Sequence, residues 1–271
     1  MTRRRLTDAT VRSAIIACGA LFVVPYVLTV CSSFRPSAAV QSSPFSLFGG
    51  GWSFGNYREV WHDIGLLRFY LNSIVVTSAI VGLQLLLGVP AAFALGHLRP
   101  RGSRVVKALV IATLSVPTQA IAITNYLTID HLGLIDTRRG LVLPFLASAF
   151  GVYLLCEYAE SVPASQIDAS RMLGLAALAR LRWMVLPHMR PAIAAFAAFA
   201  FVGWWNEFFW PFIVLTREEN RTIPFAIQHY VANPSGIPDW GPMMAAGSLA
   251  LLPMLLLLVL VQRSFVRAMS V

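Results

Sequence analysis

The sequence predicts an all-α integral membrane protein with six transmembrane helices, both termini in the cytoplasm, and a helical cytoplasmic loop between helices 4 and 5. Three observations lead there. Of 271 residues, 57% are hydrophobic and only 12% charged, against about 25% charged in an ordinary soluble domain. Six long apolar runs divide the chain, and basic residues gather in alternate loops between them. Such a composition excludes a soluble globular enzyme. It also excludes a disordered chain, because disorder needs low hydrophobicity and high charge.

A bilayer core about 30 Å thick is crossed by roughly 20 helical residues. The runs that meet this length cover residues 14–33, 73–96, 108–129, 141–158, 192–215 and 241–261. They are continuous rather than short and alternating, so helices are expected and barrel strands are not. The first run follows Arg3, Arg4 and Arg5, as a signal peptide would. It exceeds the roughly 7 to 15 apolar residues of a signal core, and it carries Pro25 at its middle without a small-x-small cleavage site. A retained first span is expected.

Orientation follows from the preference of basic residues for the cytoplasmic side. With the N-terminus inside, the inner segments hold 14 of the 21 Lys and Arg residues. These are Arg3, Arg4, Arg5 and Arg12, then Arg99, Arg101, Arg104 and Lys107, then Arg171, Arg180, Arg182 and Arg190, and finally Arg263 and Arg267. Most of the +9 net charge therefore sits beside spans, where lipid headgroups and insertion bias explain it without a nucleic acid.

Several chemistries find no support. Cys18, Cys31 and Cys156 lie in or at the ends of spans with no CxxC pair, so neither disulfides nor a metal site is expected. A P-loop requires Gly-Lys before Ser or Thr, whereas the single lysine, Lys107, stands between Val106 and Ala108. No HExxH occurs. Gly51-Trp52-Ser53-Phe54-Gly55 matches GxSxG, with His62 and Asp63 nearby. A nucleophile elbow needs a strand before the serine and a sheet beneath it. Here the glycines more simply provide turns in an outer loop.

The inner loop over residues 159–190 is the most regular of the connections. Ser165 with Asp168 three residues later forms a capping-box pattern, so a helix is expected from about Gln166. Gly174 supplies a left-handed C-cap, after which a second helix starts at a sharp angle. Pro187 and Pro191 mark the start of span five. The loop then presents Arg171 together with apolar residues, a surface suited to docking another protein or, alternatively, to resting on lipid as an amphipathic helix.

Asp168-Ala169-Ser170, Gly174 and Leu186-Pro187 resemble the EAA loop of ABC-importer permeases: Glu-Ala-Ala, three residues, Gly, then Leu-Pro some twelve residues on. Other segments extend the likeness toward the carbohydrate-uptake permeases of the maltose and glycerol-phosphate type. They are Asn56-Tyr57, residues 91–95, Gly133-Leu134-Ile135-Asp136-Thr137 with Gly140-Leu141, Ser161-Val162-Pro163, Trp205-Asn206-Glu207-Phe208 with Trp210-Pro211, and Ala245-Ala246. Asp168 and Ser170 depart from the usual Glu and second Ala, and the chain ends at Ser270-Val271 without the Gly/Lys-ended tail common in such permeases.

The resemblance implies a permease subunit of the bacterial inner membrane that imports a sugar or sugar-like polyol phosphate. It implies a homologous partner permease, two ATPase subunits that carry the ATP and magnesium, and an external solute-binding protein. This chain itself holds no cofactor, no metal and no catalytic residue on this reading. Asp168, Ala169, Ser170, Arg171, Gly174, Leu186 and Pro187 would couple it to the ATPase.

Glu207 is the ionisable residue placed deepest in a span, where a carboxylate costs several kcal/mol unless paired or hydrated. With Trp205 and Asn206 it is a candidate for the substrate path, as are Gln119, Asn125 and Tyr126. Three bland alternatives stand beside this, the first being that Glu207 makes a structural hydrogen bond to a neighbouring helix or to the partner permease. Trp204, Trp205 and Trp210 serve equally as an interfacial belt, and isolated polar residues such as Gln84 and Thr118 often join helices to one another. Pro90 and Pro117 are expected to loosen their helices. The outer stretch 217–240, rich in Pro, Asn and Gly, reads as a loop that meets the binding protein. A secondary transporter would show inverted repeats, which are absent; a non-transport scaffold would have no ATPase partner.

Overall fold

The long apolar runs become long helices. In the computed structural model, residues 2–232 and 236–269 are described, with side chains given except at 2–10, 164 and 261–269. The side chains of Arg3, Arg4, Arg5, Arg263 and Arg267, and residues Ser270 and Val271, lie outside the described residues. The backbone is helical throughout: α1 (Thr2–Ser32), α2 (Ser37–Ser42), α3 (Gly55–His62), α4 (Leu66–Phe93), α5 (Ser103–Thr113), α6 (Ala122–His131) and α7 (Arg138–Val142) are followed by α8 (Ala149–Glu160), α9 (Ala164–Met172), α10 (Ala177–Arg180), α11 (Leu186–Trp205), α12 (Phe209–Val214), α13 (Ile223–Val231) and α14 (Trp240–Met269). No strand occurs among the described residues.

Four helical stretches are long and apolar enough to cross a membrane: Val11–Ser32, Leu66–Leu98, Ala177–Trp205 and Trp240–Leu260. Two bent pairs raise the number to six if each is one span. The exposure of Phe22 (77%) on the first and of Leu258 (63%) on the last would be costly in water and suits hydrocarbon or another subunit.

The third expected span, 108–129, is not one helix. Ser103–Thr113 and Thr118–His131 meet at 94°, because Pro117 has no N–H to donate and holds an extended backbone. The chain tightens into successive three-residue turns, with Leu114, Ser115 and Val116 donating to Ile111, Ala112 and Thr113. The fourth, 141–158, bends by 47° between a 3₁₀ turn at Leu143–Phe145 and α8, whose new start is capped by Ser148 Oγ accepting from Gly151 N–H at 3.0 Å. The fifth, 192–215, stops at Trp205 and resumes as α12, since Pro211 breaks the donor ladder. It also begins earlier than expected: α10, a π turn at Leu181–Val185 and α11 run on as Ala177–Trp205. The second helix of the inner loop is thus the foot of span five rather than a separate element.

The chain divides into two units, Met1–Leu67 with Pro224–Leu252 and Arg68–Ile223 with Pro253–Val271. In the first, Arg35 is wholly buried and donates to the carbonyls of Gly49, Ser43, Ser46 and Ala39 and to Ser43 Oγ. One guanidinium therefore shapes the 36–50 loop. Asn56 Nδ2 donates to the carbonyls of Ser33 and Arg35 at 2.8 and 2.9 Å, and a Cβ at Gly241 would collide with that asparagine at 2.8 Å. The stretch 217–240, read above as a loop, is largely ordered into a 3₁₀ turn and α13. Ser53 Oγ accepts the Gly55 N–H, so the GxSxG segment is a turn at the start of α3.

Candidate functional site

In the loop over residues 159–190, α9 begins at Ala164 with Pro163 at its N-cap and no side-chain cap. The Ser165–Asp168 box therefore does not form; proline already presets the backbone angle there. The helix terminus follows the expectation. Gly174 has φ +70°, Gly174 N–H donates to Arg171 O and Leu175 N–H to Ser170 O, which is the Schellman pair that closes a helix through a left-handed residue.

One side of α9 is anchored. Ile167 and Ser170 are buried, Ser170 Oγ donates to Ile167 O at 2.5 Å, and Ile167 joins a core of Ala92, Leu95, Ala159, Val162, Val185 and Met189. The other side is open: Asp168 and Arg171 pair at 3.0 Å in solvent, while Met172 and Leu173 are 89% and 79% exposed. Arg171 also reaches His97 O at 3.4 Å. Ala169 sits exposed on the same helix, and Leu186-Pro187 open α11. Just above, Lys107 pairs with Glu160, with Arg99 at 3.8 Å from the same oxygen, which ties α5 to the end of α8.

The second unit holds a cavity of about 400 Å³. It is lined where all three broken helices open: Leu114, Val116 and Thr118 from one break, Phe145 and Ser148 from the next, Gly203, Trp204 and Glu207 from the third. Two smaller cavities adjoin Trp204 and Glu207 as well. Glu207 Oε1 accepts the Trp210 N–H at 3.1 Å, so the carboxylate caps the start of α12 while facing open space. Gln119 and Asn125 line one of the smaller cavities. Trp205 and Asn206 line none of the three: Trp205 is buried and stacks on Phe201 at 5.7 Å, and Asn206 Nδ2 donates to Val202 O. Tyr126 packs beside a core of Val76, Ile129 and Trp210.

Trp204, expected in an interfacial belt, lines the cavity, and Gln84, expected to join helices, does so; Asp136 is the residue to which sequence reasoning gave no part of its own. Gln84 lies deep in α4, its Nε2 donating to Phe145 O at 3.0 Å and its Oε1 buried without a partner. Asp136 is a hub at φ +57°. Its Oδ1 accepts from the backbone N–H groups of Thr216 and Arg217 at 3.1 Å each, and Arg217 Nε reaches its Oδ2 at 3.1 Å. Thr137 caps α7 through Gly140 N–H, a Cβ on Gly140 would strike Leu134 O at 2.3 Å, and Trp210 Nε1 donates to Gly140 O at 3.2 Å. The Gly133–Leu141 and Trp210-Pro211 segments, distant in sequence, form one joint.

Burial raises the Asp136 pKa, but the N–H donors of Arg217 and Thr216 prevail, and it falls below its ordinary value of 3.8. A depressed carboxyl stabilises the folded state above that ordinary value and loses the effect as pH falls through the lowered one. Protection of the Thr216 and Arg217 amides, taken relative to the intrinsic exchange rate at each pH, is therefore expected to hold from neutral pH down to about pH 4 and to fall below it. In Asp136→Ala that protection is expected to be lower at neutral pH, and the difference from the native chain to shrink as Asp136 protonates in acid.

The second unit thus combines three helix breaks around one cavity with the turn at Gly174 that ends α9. Residues 84–271 match the family described as the binding-protein-dependent transport system inner membrane component, and the chain belongs to that family. Among its relatives, the diacetylchitobiose uptake system permease protein NgcG of Streptomyces coelicolor is 29% identical over 92% of this chain and 83% of its own. The sn-glycerol-3-phosphate transport system permease protein UgpE of Brucella abortus is 27% identical over 99% and 98%. A chain from the crystal structure of a bacterial ABC transporter involved in the import of the acidic polysaccharide alginate superposes with TM-score 0.82 at 26% identity, covering 96% of this chain and 97% of that one. The protein is thus a multi-pass bacterial inner-membrane permease component of an ABC importer for sugar or a related solute, and not itself an ATPase.

Proposed function

We propose that the chain forms one permease domain of six spans over residues 1–271, each bent pair counting as one span, with both termini cytoplasmic and residues 159–190 as the coupling loop. The loop docks in a separate ATPase subunit through Asp168, Ala169, Ser170, Arg171 and Gly174, with Leu186 and Pro187 within the foot of the span that it moves. A homologous permease completes the pathway, two ATPases bind the ATP and magnesium, and an external solute-binding protein delivers the ligand. Gln119, Asn125 and Glu207 belong to the path on this reading; Trp205, Asn206 and Tyr126 support its walls.

The observation that carries the proposal is the Gly174 elbow. Its inner side is anchored in the core and its tip offers Met172 and Leu173 beside Arg171, so force applied to the tip reaches Val185 and Met189 at the foot of span five. ATP and loaded receptor must favour the outward-facing state over the inward-facing one, because equal affinity for both shifts nothing. Tagged protein expressed with its importer partners is expected to retain the ATPase through detergent purification, and the double change Met172→Glu with Leu173→Glu to release it. Uphill uptake by this chain reconstituted without any ATPase would overturn the reading.

A further inference from the structure

The proposal deepens the permease reading and rests on it. We propose that the cavity at the three helix breaks is a binding site for neutral, hydroxyl-rich solutes and that its Glu207 carboxylate rejects anionic ones.

Unpaired backbone is tolerated at membrane depth only inside protein or along a water-filled cavity. Here the breaks at 114–117, 146–148 and 206–208 meet at one opening, and an ionised carboxylate among them cannot face hydrocarbon. The opening therefore faces water or ligand. Among the described residues lining the three cavities that share Trp204, Glu207 carries the only charge. No arginine, lysine or histidine stands there to receive a phosphate or carboxylate.

The polar groups point the same way. Glu207 is acceptor-only when ionised. Thr118 and Ser148 add hydroxyls that both give and take. Sugar hydroxyls can donate to these acceptors, whereas phosphate and carboxylate oxygens only accept. Trp204, tilted against Phe145 at 4.5 Å between ring centres, supplies the apolar wall that such sites combine with a few polar groups. A second negative charge about 5 Å from Glu207 would be disfavoured by roughly a hundredfold at the effective dielectric of a protein site. The relatives named above handle both neutral and anionic solutes, so membership of the family leaves this choice open.

The test uses the purified permease pair, with the receptor omitted so that selectivity arises in the membrane. Equilibrium binding is measured for neutral probes (maltose, maltotriose, cellobiose and diacetylchitobiose) and for anionic ones (glycerol 3-phosphate and a mannuronate disaccharide). At least one neutral probe is expected to bind at least tenfold more tightly than either anion. Glu207→Gln keeps an acceptor for the Trp210 N–H and removes the charge, and is expected to narrow that ratio by tenfold or more. An anion that binds the native pair as well as the neutral sugars, no binding by any neutral probe, or an unchanged ratio in Glu207→Gln overturns the proposal. ATP-driven uptake of an anion by the complete importer would sink it and leave the permease reading intact. An importer that takes up no probe and retains no ATPase sinks both.

Discussion

An importer carrying Gly174→Val is expected to insert and to keep its spans, but to take up solute at least tenfold more slowly than the native complex. The reason lies in the backbone. Gly174 has φ +70° and no atom within 4 Å of where a Cβ would stand, so a side chain meets no neighbour. It meets instead the left-handed region, which costs an ordinary L-residue roughly 1–2 kcal/mol, and more for a β-branched one. Relief of that strain breaks the hydrogen bonds to Arg171 O and Ser170 O and changes the angle at which α9 leaves α10. Gly174→Asn, which tolerates this conformation, is expected to retain most of the uptake. The check is transport per unit of membrane-inserted protein; a valine variant with native uptake would remove the elbow from the coupling route.

The second large effect is expected at Arg35. Its guanidinium is fully buried and bonded to four carbonyls and a hydroxyl, with no carboxylate among these partners. Arg35→Leu removes all five donors and strands the carbonyls of Ser46 and Gly49, while those of Ala39 and Ser43 keep the N–H groups of Ser43 and Ser46; each stranded carbonyl costs roughly 1–3 kcal/mol if it stays buried. Arg35→Lys cannot restore the pattern, because an ammonium lacks the planar fork that reaches several acceptors at once. Limited proteolysis of the 36–54 segment is expected to be at least tenfold faster in both variants. Native resistance of the leucine variant would show that α2 and the aromatic contact of Phe34 with Trp52 hold the loop without the arginine.

Much of the backbone of the 159–190 loop was legible because it is local. Proline before α9, glycine after it and leucine-proline at the start of α11 act through neighbouring residues, and only the cap was misread, Pro163 taking the place assigned to Ser165. The third run breaks at Pro117, which was expected to loosen its helix, and the fifth before Pro211, which was not singled out for a break; hydropathy registers apolar content but not the backbone donor that a proline withholds. Trp205 was nominated for the path and Trp204 was not, since adjacent helical residues differ by about 100° in direction, and only packing against Phe201 and Tyr70 decides which of the two is buried.

From the chain alone, composition and the length of the apolar runs determined that this is a helical membrane protein, because the bilayer demands long runs with satisfied backbones. Motif spacing alone pointed to the coupling loop. The tertiary structure decided where the spans break, that the breaks share one cavity around Glu207, that Asp136 gathers the N–H groups of Thr216 and Arg217, and that Arg35 holds an outer loop. Each of these joins residues far apart in the chain, and such contacts depend on how helices pack in three dimensions, which no local pattern encodes.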